Sequence, residues 1–248
     1  MRDDAVTVGA ITIIAMCVAT VAHEAIGHGS VCLLLGGHIT LLTNVYFRCA
    51  VESTLVSPSG PLGNLMAGLA GAAALQCLPS SYPRAKLFAL LVTAFSFFWA
   101  FGYLIYSLAT GDGDYAIAIR DFTGGLTTVW RIAGIAVGAV LYLLFRNELV
   151  AAITRLLGQR ATHVMRISWL IATLAAVAAA ALYTPGRKGA MIQAGLEIGA
   201  ASLPLLTARP HAEGTGEMPV IARNVVWIAV AVISFAAFAL TLGVGYAS

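Results

Sequence analysis

Long apolar segments constrain this sequence more than any other feature. A helix that crosses a bilayer core about 30 Å thick needs about 20 mainly apolar residues. Six segments meet this requirement: residues 5–35, 61–78, 87–110, 127–145, 164–183 and 225–246. A seventh, 190–207, is weaker because it contains Gln193, Glu197 and Pro204. Only 10% of the chain is charged and 60% is hydrophobic, whereas soluble domains carry about 25% charged residues. The sequence therefore predicts an all-α, multi-pass integral membrane protein of the cell (inner) membrane, with six or seven transmembrane helices.

The polar remainder is too short to build a second domain, so we expect residues 1–248 to form one integral membrane domain. The net charge of +3 needs no nucleic-acid partner, because basic loops that face the anionic headgroups of the lipid bilayer account for it. Lys and Arg are more frequent on the N-terminal side of the predicted spans. This excess weakly favours a cytoplasmic N-terminus and leaves the orientation open.

The four cysteines show no CxxC pairing. They are Cys17, Cys32, Cys49 and Cys77. Most lie in apolar surroundings, where a small buried thiol is the common explanation. We therefore expect neither a disulfide framework nor a thiolate metal site.

The stretch "VAHEAIGHGS", residues 21–30, carries His23, Glu24 and His28 at the end of an apolar run. Ionisable groups in a membrane segment are unfavourable unless they are paired, solvated or bound to an ion. On an α-helix that advances about 100° per residue, His23 and His28 would lie about 140° apart and could not share a metal. A π-bulge, eased by Gly27, would return both to one face. Alternatively Glu24 and His28 are the ligands and His23 is a base or supporting group, or the histidines reach the interface at a helix end.

The next two segments predict structure beside this motif. In "ITLLTNVYFRCAVESTL", residues 39–55, β-branched and aromatic residues cluster around Asn44 and predict a membrane-associated β-hairpin after the first helix. Its strand edge could hold an extended substrate, or the segment could be a structured loop cap. "GPLGN", residues 60–64, then opens a helix in which Asn64 either faces the site or makes a packing hydrogen bond.

A pair of carboxylates follows the third apolar segment. "TGDGDY", residues 110–115, contains Asp112 and Asp114. Hydrolytic zinc commonly has three protein ligands and one open position, so one aspartate could complete a set with two histidines. The Asp-Gly pair slightly favours Asp112, and a solvated acidic turn is the alternative. The remaining histidines, His38, His163 and His211, are expected to be interfacial or loop residues.

The order of these motifs resembles the site-2 protease family of intramembrane zinc metalloproteases. "HEAIGH", the hairpin, "SPSGPLGNLMAG" and "SLATGDGDY" follow one another as the corresponding segments do in that family, although its Asn-Pro element before the aspartate is absent. "HEAIGHGS" is also similar to the six-residue zinc motif of dipeptidyl peptidase III.

The resemblance implies Zn²⁺ held by His23, His28 and either Asp112 or Asp114, with Glu24 activating water and Asn64 positioning substrate. Residues 5–120 would form the catalytic core and 125–248 accessory helices without chemistry of their own. The substrate would be a membrane protein or peptide. The alternative is a non-catalytic polytopic membrane protein: an ion- or proton-coupled transporter, an assembly factor or a pseudoprotease. No inverted repeat is visible to favour a transporter. The sequence makes no prediction of oligomeric state.

Overall fold

The computed structural model of the chain describes residues 2–208 and 216–247, and the candidate His211 lies outside these ranges. Helices dominate the described residues. The α-helices are α1 (Ala5–Val21), α2 (Ser30–Leu34), α3 (Val56–Cys77), α4 (Pro83–Thr110), α5 (Asp114–Thr123), α6 (Thr128–Leu157), α7 (Ala161–Ala180), α8 (Arg187–Ala194), α9 (Leu203–Thr207) and α10 (Val225–Phe238). Three further segments are π-helical: Ala22–Gly29, Gly195–Ala200 and Ala239–Gly243.

Four helical stretches in the described part of the chain are long and apolar enough to cross a membrane. They are Ala5–Leu34, Pro83–Thr110, Thr128–Ala180 and Val225–Gly243. The first joins α1, the π-helical segment Ala22–Gly29 and α2 into one rod. The coarse prediction of a mainly helical protein with several helices long and apolar enough to cross a membrane is therefore confirmed.

The central helix of the bundle is α4, which buries its large aromatic side chains. Phe95, Phe98 and Trp99 are almost fully buried in a hydrophobic core that extends from α1 to α10. α4 packs against α1, α3 and α6. The N-terminus of α1 is fixed by Asp3, whose carboxylate accepts hydrogen bonds from Arg160 and from the backbone N–H of Ile221. One core thus connects both ends of the chain.

A small sheet covers one end of the bundle. Strands β1 (Ile39–Leu42) and β2 (Phe47–Cys49) pair antiparallel, which confirms the predicted hairpin. Thr43 Oγ1 stabilises the turn by accepting hydrogen bonds from the backbone N–H groups of Val45 and Tyr46. A third strand, β3 (Tyr246–Ala247), pairs with the other side of β1, so the order is β2-β1-β3. β2 therefore lies at an edge of the sheet.

A disulfide between Cys32 and Cys49 corrects the expectation that the cysteines stay unpaired. α2 ends just before Gly36, whose positive φ of 76° reverses the chain into β1. The hairpin then returns β2 to the end of α2, where the two Cα atoms are 5.8 Å apart. Cys32 and Cys49 are 17 residues apart in sequence and belong to no local motif, so their pairing could not be predicted from their spacing. Cys17 and Cys77 are free thiols.

Candidate metal centre

The segment that carries the histidine motif is π-helical from Ala22 to Gly29, as the five-residue spacing predicts. A π-turn adds one residue, so side chains five apart return to the same face. The rings of His23 and His28 accordingly lie with their centroids 5.0 Å apart. Gly27 permits the close approach of α3, because a Cβ there would lie 2.5 Å from the carbonyl oxygen of Ser59. The shared-face arrangement is therefore the one that the structure adopts.

His23, His28 and Asp114 form a group that could hold a metal ion. Asp114 Oδ2 lies 3.1 Å from His23 Nε2 and 3.3 Å from His28 Nε2. One potential ligand atom from each residue lies within 4.8 Å of the others. Both histidines are buried. Two imidazoles and a carboxylate converging in this way are a donor set suited to a divalent transition metal.

The structure brings Asp114, and not Asp112, into this group. Asp112 is exposed, and its carboxylate accepts the backbone N–H of Gly113. Positive φ angles at Gly111 and Gly113 turn the chain back onto α4, so that α5 starts with Asp114 beside the histidines. The slight preference for Asp112 is therefore not supported by the geometry. Asp114 is the aspartate available as a third ligand.

Hydrogen bonds with the two imidazoles control the charge of Asp114. Burial by itself raises the pKa of this carboxyl group. Hydrogen bonds from His23 and His28, followed by attraction to their positive charge, outweigh burial and lower the pKa to about 2. Asp114 is therefore anionic at neutral pH, the state in which a carboxylate binds a metal.

Groups outside the ligand set orient each imidazole. Nδ1–H of His28 donates to the carbonyl oxygen of Val56 over 2.7 Å, which leaves Nε2 for a metal. The side-chain nitrogen of Asn64 lies 3.0 Å from His23 Nδ1, while Asn64 Oδ1 is buried without a partner. A 180° rotation of the Asn64 amide group exchanges its nitrogen and oxygen, so that Oδ1 accepts a hydrogen bond from Nδ1–H of His23. His23 Nε2 is then also available to a metal. Such outer hydrogen bonds are typical of metal-binding histidines.

Aromatic rings and a glycine complete the walls of the site. The ring of His23 stacks on Trp99 with centroids 4.5 Å apart, and that of His28 stacks on Phe47 of β2 at 5.2 Å. Gly60 of α3 faces both rings, because a Cβ there would collide with Nε2 of each histidine. The absence of a side chain at residue 60 thus leaves room for the two imidazoles to converge.

Glu24 shares the cavity with the three candidate ligands. The cavity has a volume of about 120 Å³ and is also lined by Val45, Tyr103 and Glu197. It has room for water, since one molecule needs a cavity of about 10–15 Å³. Glu24 is buried, and its Oε2 has no hydrogen-bond partner. An unpartnered carboxylate beside a water-sized space can accept a proton from a molecule bound there.

The sequence predicts no chemistry for the residues after 125, but the structure places Glu197 at the metal cavity. This residue lies on the π-helical segment Gly195–Ala200 and is buried. Its Oε1 accepts a hydrogen bond from the Gln193 amide over 2.8 Å, and its Oε2 has no partner. A lone glutamate in an apolar segment, four residues after a glutamine, is the signal that could have found it. His38 and His163 are exposed and lie outside the metal-binding group.

No model of a known protein family, no curated protein and no solved structure matches this chain. The functional conclusion therefore comes from the geometry of the site.

Proposed function

We propose that this chain is an intramembrane zinc metalloprotease of the site-2 type, which hydrolyses peptide bonds in membrane-embedded or membrane-proximal substrates. One observation carries the proposal: Glu24 shares a cavity with His23, His28 and Asp114. A base beside a three-ligand metal group is the arrangement that metal-assisted hydrolysis requires. The order of motifs along residues 5–120, which resembles the site-2 protease family, supports the same reaction class.

Zinc is the metal that best suits the donor set. Two imidazole nitrogens and one carboxylate oxygen are a common catalytic zinc set, and they leave a fourth position open for water or substrate. Bound zinc would supply Lewis-acid activation of a water molecule, lowering the pKa of that water toward about 7. Glu24 would accept a proton from a water molecule in the cavity and would deliver it to the leaving amine. Asn64 keeps the imidazole of His23 in position while the proton moves.

The sheet supports a peptide as the substrate. β2 lies at the edge of the sheet, and its Phe47 lines the metal cavity. An extended chain can pair with a sheet edge through its backbone, which requires only local unfolding of the substrate. A peptide bound along β2 would therefore run beside His28. Residues that destabilise a helix in the substrate should therefore favour cleavage, because they make an extended segment available for this pairing.

The same proposal includes six or seven membrane crossings in an inner membrane. α7 is the second half of the stretch Thr128–Ala180, which would therefore cross twice. α3 and the α8–α9 region overlap the predicted segments 61–78 and 190–207 and would supply the remaining crossings. A cytoplasmic N-terminus, favoured by Lys and Arg, would put the Cys32–Cys49 disulfide on the opposite side. Disulfides persist in oxidising compartments outside the cytoplasm, which agrees with this orientation.

Metal analysis combined with a cleavage assay tests the proposal. The wild type and Glu24→Gln are purified in mild detergent, analysed for zinc, and co-expressed with a panel of single-span membrane proteins. We expect about one zinc per chain in both proteins, and substrate fragments, identified by mass spectrometry, only with the wild type. Bound zinc without Glu24-dependent fragments would indicate a different zinc-dependent membrane hydrolase. Absence of zinc would favour a non-catalytic membrane protein.

A further inference from the structure

A second cavity adjoins the metal cavity. It has a volume of about 260 Å³ and lies between α4, α6 and the π-helical segment Gly195–Ala200. Tyr103 and Glu197 line both cavities. A group that occupies the second cavity therefore lies next to whatever is bound at the metal centre.

The walls of this second cavity are mainly apolar and aromatic. Four aromatic residues contribute to them: Trp99, Tyr103, Tyr106 and Tyr142. The hydroxyl of Tyr142 is already engaged, since it donates to the carbonyl oxygen of Ala201 over 2.7 Å. Aromatic rings attract cations through their quadrupole, and apolar walls favour a hydrocarbon stem. Such a lining suits a group that is apolar along its length and positive at its end.

Glu197 supplies the acidic group that such a positive charge could pair with. Its side chain is buried, with 6% of the residue exposed, and only Oε1 has a hydrogen-bond partner. The ion pairs found among the described residues join Asp114 to His23 and His28, and Asp3 to Arg160, so none involves Glu197. A buried carboxylate oxygen without a partner is unfavourable by itself. A bound cation would satisfy it.

We propose that this second cavity is a subsite for the positively charged side chain of a substrate residue, Lys or Arg, close to the scissile peptide bond. The proposal rests on the proposed protease function for the identity of the substrate, but the cation site itself does not. Its volume falls below the range of about 300–1,000 Å³ that is typical of pockets for whole small molecules. The space therefore fits one side chain. Glu197 binds its charge, and Trp99, Tyr103 and Tyr142 surround its stem.

A binding experiment tests the cation site without reference to activity. The purified full-length protein, with zinc present, is titrated with n-butylammonium and with n-butanol, which has the same stem without the charge. Trp99 lines the cavity, so intrinsic tryptophan fluorescence can follow binding. We expect butylammonium to bind the wild type at least about tenfold more tightly than butanol, because the buried carboxylate favours a charged partner. Equal affinities of the two probes would overturn the proposal, and this comparison needs no variant.

Two variants show which carboxylate is responsible. Glu197→Gln keeps the shape of the side chain but removes its charge, and should remove the preference for butylammonium. Glu148→Gln removes a carboxylate that is exposed on α6 and should bind butylammonium like the wild type. Unchanged butylammonium binding by a folded Glu197→Gln protein would also overturn the proposal.

A cleavage experiment connects the subsite to substrate choice. In matched substrate peptides, one residue at a time around the cleaved bond is Lys or its uncharged analogue norleucine. We expect one position at which Lys raises kcat/KM at least about tenfold in the wild type but not in Glu197→Gln. Glu24-dependent cleavage that is indifferent to Lys at every position would overturn the subsite while the protease function stands. Glu197-dependent binding of butylammonium without any Glu24-dependent cleavage would support the cation site and contradict the proposed protease function.

Discussion

Glu24 and the three candidate ligands have separable roles, one moving a proton and three holding a metal. Glu24→Gln should keep zinc but lose activity by about 100-fold or more, because general-base catalysis contributes that much. His28→Ala and Asp114→Asn should lose the metal itself. Asp112→Asn is the matched control and should keep both, since Asp112 is exposed outside the group. Zinc content by elemental analysis and fragment yield check these results. Equal zinc loss in Glu24→Gln would instead make Glu24 a ligand.

Asn64 should act through His23 rather than through the substrate. Asn64→Leu removes the hydrogen bond to His23 Nδ1 and should weaken zinc binding by about 10–100-fold, as removal of outer hydrogen bonds commonly does. Competition with a zinc-binding dye measures the change. Gln76→Leu removes an exposed amide from the same helix and should leave the affinity unchanged. Normal zinc affinity with a raised KM in Asn64→Leu would favour the substrate-binding role predicted from the sequence.

Gly60 leaves room for the two imidazoles, so a single methyl group there should disrupt the site. A Cβ at residue 60 would collide with Nε2 of both histidines, and the neighbouring backbone of α3 lies too close to Gly27 to retreat. Gly60→Ala should therefore fold less stably and bind no zinc. Gly29→Ala is a matched control in the same motif, because a Cβ there would lie 3.5 Å from Ile39 Cδ1, an ordinary contact distance. Thermal unfolding and zinc content distinguish a blocked site from a misfolded chain.

At the level of the element, the π-helical segment matches two packing surfaces that a plain helix could not match. α1 packs against α4, α7 and α10, while the segment after it packs against α3. Deleting Ala25 or Ile26 would create the common His-Glu-x-x-His spacing but rotate one surface by about 100° against the other. We expect the deletion to lose zinc and activity. Retained zinc in this variant would mean that the helix can change its twist without disturbing its neighbours.

Local elements could be predicted because their signals are local. The five-residue spacing of His23 and His28 predicts the π-helical segment, and the residues around Asn44 predict the hairpin. The identity of the third ligand could not be predicted in this way. Asp112 and Asp114 flank one glycine, and the φ of 85° at Gly113 decides which of them faces the histidines. That angle depends on packing against α4.

Contacts between distant parts of the chain could not be predicted from the sequence either, because they also depend on how the elements pack. Glu197 reaches the metal cavity only because α7 and α8 pack together and return the chain to α4. The Cys32–Cys49 bond requires the hairpin to place Cys49 beside α2. β3 pairs with β1 across almost the whole length of the chain. None of these contacts leaves a periodic or short-range pattern in the sequence.

At the scale of the whole molecule, the two halves of the chain form one site. Residues 5–120 supply the candidate ligands and Glu24, whereas the later helices supply Glu197 and, through β3, complete the sheet that carries β2. The hydrophobic core likewise includes side chains from α1 through α10. The accessory helices are therefore expected to influence the chemistry, and the cation subsite is the specific form that we propose for this influence.

The orientation of the molecule can be tested with its own cysteines. Val56 of α3 contacts His28 and Asn64 contacts His23, so α3 runs antiparallel to the first membrane-crossing stretch. Cys77, the exposed last residue of α3, therefore lies near the N-terminal end of the stretch Ala5–Leu34. The Cys32–Cys49 disulfide lies at the other end of that stretch. If the disulfide faces an oxidising compartment, Cys77 faces the cytoplasm.

A membrane-impermeant maleimide that reaches only the outer face of the membrane in sealed cells should then leave Cys77 unlabelled. After mild reduction from the same side, Cys32 and Cys49 should become labelled, and the label should disappear in the variant Cys32→Ser with Cys49→Ser. Cys77→Ser should change nothing until the membrane is permeabilised. Labelling of Cys77 in sealed cells would reverse the orientation, and the metal cavity, which lies at the hairpin end, would then open toward the cytoplasm.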